Sequence, residues 1–87
     1  MIRAKVCAII IGIFGAHGHD AVSVASCESR LTTTATNGQY TGLFQMGAYE
    51  RRHYARGHYS TAREQALAAW RYFKATGSDW SPWTCRP

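Results

Sequence analysis

A small all-α domain of about three helices, stapled by one disulfide, is the fold class this sequence predicts, with β structure limited to one short hairpin. Three observations predict it. A chain of 87 residues has room for one hydrophobic core and one domain. Apolar residues recur at helical spacing in separate stretches, each punctuated by a capping residue or a glycine. The cysteines number three, and one of them, Cys7, lies in an N-terminal apolar run, which leaves Cys27 and Cys85 as one possible pair. With 13% aromatic and 17% charged residues the composition excludes a disordered chain, which would be aromatic-poor and highly charged. The scattered glycines have no period, and no internal repeat is visible.

Residues 1–18 combine a basic start (Arg3, Lys5), an apolar run from Val6 to Ala16, and small residues at Ala16 and Gly18. That order predicts a secretory signal cleaved after Gly18, leaving residues 19–87 as the domain. The apolar run is shorter than the ~20 residues a permanent membrane anchor needs, so no stable anchor is expected after cleavage. A buried core helix is the competing reading. Loss of this segment removes Cys7 and leaves an even cysteine count, consistent with an oxidising compartment. Closing the long loop from Cys27 to Cys85 is worth roughly 4 kcal/mol by chain entropy.

Asp20, a plausible N-cap, opens the first helix of the domain, and Ala21, Val24, Ala25, Glu28 and Leu31 share its apolar face. Residues 32–40, TTTATNGQY, form a loop or short hairpin turning at Asn37-Gly38. A second helix runs from about Ala48 to Arg56 with Gly57 as its C-cap. Glu50, Arg51, Arg52 and Arg56 read as its solvated face. His53 and His58 lack cysteine or carboxylate companions at ligand spacing, so no metal and no cofactor are assigned. The third helix, from about Ala62 to Thr76, opens on Thr61 with Glu64 in capping-box register and closes at Gly77. Its Leu67 and Phe73 read as core. The tail carries Trp80 and Trp83 around Pro82, which keeps it out of helix.

Glu28 is the conspicuous ionisable residue. A carboxyl set against Val24, Ala25 and Leu31 has its charged form disfavoured and can donate a proton near neutral pH, as a glycosidase acid does. The bland alternative is a structural pairing with Arg30 or Arg71.

Cys27-Glu28-Ser29, then the run Asn37 to Gln45 ending in Gly42-Leu43-Phe44-Gln45, then Gln65 to Trp70, then Trp80-Ser81-Pro82-Trp83-Thr84-Cys85 resemble the lysozyme-like transglycosylase and resuscitation-promoting-factor domains over about residues 22–85. The resemblance implies that Glu28 is the general acid. It also implies that Gln45 and the backbone near Gly42 line the cleft, with Tyr40, Thr41 and Trp80 available to touch sugar. It further implies a disulfide from Cys27 to Cys85. The implied substrate is the glycan strand of peptidoglycan, met by a secreted, cell-wall-associated monomer.

Cleavage of glycosides ordinarily uses two carboxyls. Glu64 is committed to its cap and Asp20 to the first helix, and neither Glu50 nor Asp79 stands in a recognisable second position. A single-acid scheme follows, in which the sugar's own acetamido or 6-hydroxyl group attacks, giving an anhydro sugar, or a hydrolysed end if water intervenes. The net charge of +5, reduced by loss of Arg3 and Lys5, suits an anionic wall better than nucleic acid. A non-catalytic wall-binding or signalling module, or a small cationic antibacterial protein, is the competing class.

Overall fold

The computed structural model describes residues 2–87, and Met1 lies outside the described residues. The order is α1 (Ile2–Phe14), a 3-10 turn (Gly15–His17), α2 (Gly18–Ser29), β1 (Thr36–Asn37), β2 (Tyr40–Thr41), α3 (Ala48–Tyr54) and α4 (Ala62–Ala75). The architecture is mostly helical with a two-stranded antiparallel hairpin, in which Thr36 pairs with Thr41 and Asn37 with Tyr40 around Gly38. Cys27 and Cys85 are disulfide-bonded with their Cα atoms 6.0 Å apart, and Cys7 is a free thiol.

Residues 2–14, which the sequence marks as part of a leader, form helix α1 in the structure. Val6, Ile10 and Phe14, one helical turn apart, are buried, and they form the single stripe that α1 gives to the core. Phe14 is the hub of the aromatic cluster, with ring centroids 5.6 Å from Phe44, 5.2 Å from Trp70, 5.8 Å from Phe73 and 5.7 Å from Trp80. The chain then turns into α2 through Gly18, where a Cβ would stand 2.9 Å from the Ile11 Cα. Only glycine permits that approach. The continuous stretch Arg3–Ser29 is also long and apolar enough to cross a membrane by composition, a property that core helices and signal sequences share.

Because α2 begins at Gly18, Asp20 lies in its first turn rather than at its N-cap. The buried face is Gly18, Ala21, Val24, Ala25 and Ser29. Glu28 is half-exposed, so it does not join the apolar face that the spacing predicts. The difference arises at the C-terminus, where Ser29 turns inward and Arg30 and Leu31 adopt left-handed conformations (φ 54° and 59°) that end the helix. Leu31 reaches the core from outside the helix.

Helix α3 stops at Tyr54, with Ala55 extended, so Gly57 is not its cap. Helix α4 opens as predicted, with the Thr61 hydroxyl accepting from the Glu64 N–H at 3.1 Å. The Glu64 carboxylate turns away from the cap and accepts instead from the Arg56 N–H and from Arg71. The inward face of α4 is Gln65, Ala66, Ala68, Ala69 and Phe73, leaving Leu67 only half-buried. Small residues let α1 and the 42–46 segment approach this helix closely, which a leucine would prevent.

Two measurements check this packing. Phe14→Ala should cost about 3–5 kcal/mol in chemical denaturation, the usual range for emptying an aromatic core site. Unchanged stability would mean that α1 is no part of the cooperative unit. The second concerns Tyr59, whose hydroxyl donates to the Thr41 carbonyl at 3.0 Å. Burial pushes this phenol far above its ordinary range, only partly offset by the nearby Arg51 guanidinium. Above pH ~10 the unfolded phenol ionises while the folded one does not, so stability falls as pH rises. Tyr59→Phe should make that alkaline decline shallower and cost about 0.5–1.5 kcal/mol at neutral pH for the lost bond.

Candidate active site

The site is organised by an irregular segment that runs through the interior. Gly42, Leu43, Phe44, Met46 and Gly47 are buried, so their peptide groups need partners within the protein. The Leu43 N–H donates to Gln65 Oε1 at 2.8 Å, and the Leu43 carbonyl accepts from Ser29 Oγ at 2.8 Å. The Phe44 carbonyl accepts from the Trp83 indole N–H at 3.0 Å. Gln65, which is 1% exposed, completes its amide by donating to the Thr33 and Tyr59 carbonyls. Gly42, at φ +87°, is indispensable, because a Cβ there would stand 2.7 Å from Gln65 Oε1.

This clamped segment turns Gln45 into a left-handed conformation, φ 48°. Its side-chain amide donates to the Ala35 and Gly42 carbonyls at 3.1 and 3.0 Å. The following strand-like bridge between Thr41 and Met46 is braced by Arg51, whose guanidinium donates to the Met46 and Gln39 carbonyls. Arg51 is therefore an internal brace and not part of the solvated face that the sequence suggests.

Beside this segment lies a cleft of about 360 Å³, lined by Glu28, Asn37, Tyr40, Gln45, Met46, Gly47, Glu50, Tyr72, Pro82, Trp83 and Thr84. Glu28, Tyr40 and Gln45, predicted from separate motifs, thus meet in one place. Glu28 Oε2 accepts from the Cys85 backbone N–H at 3.0 Å. The pairing with Arg30 or Arg71 is not made: Glu28 joins no ion pair among the described residues, and Arg71 bridges to Glu64. The bond from Cys85 fixes the orientation of the carboxyl group and occupies Oε2.

The other two predicted sugar contacts lie elsewhere. Trp80 is buried in the core, 4.4 Å centroid to centroid from Phe73, and does not line the cleft. Thr41 is occupied by backbone pairing with Thr36 and Met46 and by the Tyr59 hydroxyl. Trp83 is also buried but contributes to the cleft lining, while its indole N–H donates to the Phe44 carbonyl. Both tryptophans flank Pro82, and sequence spacing cannot say which lines the cleft. The Cys27–Cys85 bond is the signal that distinguishes them, since it ties the residues just before Cys85 to the end of α2 that carries Glu28.

Glu50 and Tyr72 are cleft residues that the sequence reading does not find. The Tyr72 hydroxyl is pushed above its ordinary range by burial and then by the charge of Glu50. The charged side chains of the lining are both carboxylates, although the chain as a whole is basic. Among the described residues there is no group of three or more metal-ligating side chains.

No curated protein and no solved structure matches this chain. A family described as a lysozyme-like domain matches residues 5–85, a span that includes most of α1 and both partners of the disulfide. With nearly its whole length matched, the chain belongs to the lysozyme-like domain family.

Proposed function

We propose that this protein cleaves the glycan strand of peptidoglycan between N-acetylmuramic acid and N-acetylglucosamine, outside the cell, with Glu28 as the general acid. The observation that carries the reading is the setting of Glu28. It is a half-exposed carboxyl at the end of a helix, oriented by one backbone N–H, in a cleft furnished with Asn37, Tyr40 and Gln45. Side-chain amides and phenols hydrogen-bond sugar hydroxyls and acetamido groups, and the exposed ring of Tyr40 suits stacking against a sugar ring.

In the proposed step Glu28 Oε1 delivers its proton to the glycosidic oxygen, so that the departing sugar leaves as an alcohol. The anomeric carbon is left electron-poor as the bond breaks. Rigidity of the 42–46 segment holds Gln45 beside the acid, so positioning is built in before the glycan arrives. Membership of the lysozyme-like family and a disulfide between Cys27 and Cys85 both favour action on a wall polymer in an oxidising, extracellular setting.

Glu28→Gln keeps an amide oxygen for the Cys85 N–H and removes only the proton donor. The variant should fold with stability within roughly 0.5 kcal/mol of wild type, bind peptidoglycan, and fail to clear a suspension of it. Clearing by the variant at the wild-type rate would remove Glu28 from the chemistry. Wild-type protein that binds the wall without clearing it would point to a binding module.

A further inference from the structure

Glu50 is half-buried in the first turn of α3 and lines the same cleft as Glu28. Its carboxylate lies back over the start of the helix, where a Cβ on residue 47 would stand 2.8 Å from Glu50 Oε1 and 3.1 Å from Gln39 Oε1. A negative charge in this turn is favoured by the helix dipole, and that is the structural alternative to a functional role.

The partners of the other acids make Glu50 distinctive. Glu64 is held by Arg56 and Arg71, Asp79 by the Ser81 N–H and hydroxyl, and Glu28 by the Cys85 N–H. Asp20 is outside the cleft, in the first turn of α2. Glu50 accepts no hydrogen bond and joins no ion pair among the described residues, and the adjacent Arg51 is spent on the Gln39 and Met46 carbonyls. It is a carboxylate shaped into the cleft and left without a protein partner.

We infer that Glu50 is the second carboxylate of the reaction, acting as the base that activates water. The inference rests on the proposed role of Glu28. Glu28 Oε1 gives its proton to the glycosidic oxygen, and the bond from that oxygen to the anomeric carbon breaks with the electron pair staying on oxygen. The oxygen of a water molecule forms the new bond to the anomeric carbon, and its proton passes to the Glu50 carboxylate. Glu50 then releases that proton to solvent and Glu28 takes one up, so one water is consumed and a reducing end is formed. The reaction is thus hydrolysis, in place of the single-acid route to an anhydro sugar.

Product analysis and the clearing rates of two variants test this together. Purified peptidoglycan is digested with wild type, Glu28→Gln and Glu50→Gln, and the fragments are weighed by mass spectrometry. Wild type should release reducing-end muramic acid. Glu50→Gln should clear about 10²–10⁴-fold more slowly and should still bind the wall.

Wild-type release of only anhydro ends, one water lighter, would overturn the inference, and so would a Glu50→Gln variant with the wild-type rate. If Glu28→Gln is inactive in the same assay, the role of Glu28 survives that failure. If Glu50→Gln fails to fold, the wild-type products still decide, because they need no variant.

Discussion

A segment without regular secondary structure passes through the interior between Gly42 and Met46, and its peptide groups must be satisfied by the rest of the protein. Leaving one such group buried and unpaired costs about 1–3 kcal/mol. Three side chains prevent that, Ser29 from α2, Gln65 from α4 and Trp83 from the tail. Each comes from a different part of the chain, so satisfying the segment fixes those parts relative to one another. The apolar core supplies the larger driving force, but apolar burial is non-directional. The hydrogen bonds to Leu43 and Phe44 specify which arrangement of the helices is adopted.

The same constraint creates the site. Ser29 turns inward to hold Leu43, which turns the preceding residue, Glu28, toward the cleft. Gln45 follows the clamped pair and is delivered next to it in a left-handed conformation that would not persist without the surrounding bonds. The tail has two roles of this kind. Trp83 closes the core over Phe44 and forms part of the cleft, while the disulfide at Cys85 brings a backbone N–H to the Glu28 carboxylate. Scaffold and site share residues here, as a chain of this size requires, since it has few residues to spare for either purpose alone.

Local chemistry was the legible part of the sequence. Thr61 with Glu64 marked the start of α4, Gly77 its end, and Asn37-Gly38 the hairpin, because caps and turns depend on neighbours a few residues away. Glu28, Tyr40 and Gln45 were legible through their resemblance to a family, and the structure brings them into one cleft. What depended on distant partners was not legible. The choice between Trp80 and Trp83 is made by Phe14 and Phe44, and the inward turn of Ser29 is made by Leu43. Leu67 reads as core by spacing, yet the side of α4 nearest the 42–46 segment is taken by Gln65 and alanines. Residues 2–14 carry the order of an export signal, and nothing local reveals that Val6, Ile10 and Phe14 pack against α4 and the tail. Glu50 lies among arginines in the sequence, and only the fold brings it to the cleft.

The central claim is that the glycan is bound where Glu28, Tyr40, Gln45 and Trp83 meet. Titration of the isotopically labelled protein with a soluble oligosaccharide of alternating N-acetylglucosamine and N-acetylmuramic acid, followed by NMR, tests it most directly. The account predicts saturable shifts at the Trp83 indole N–H, the Gln45 side-chain amide and the Cys85 backbone N–H, with the Trp80 indole and the outer face of α1 unchanged. Shifts confined to α1 and α2 away from Glu28, with the Trp83 and Cys85 signals unmoved at saturation, would contradict it.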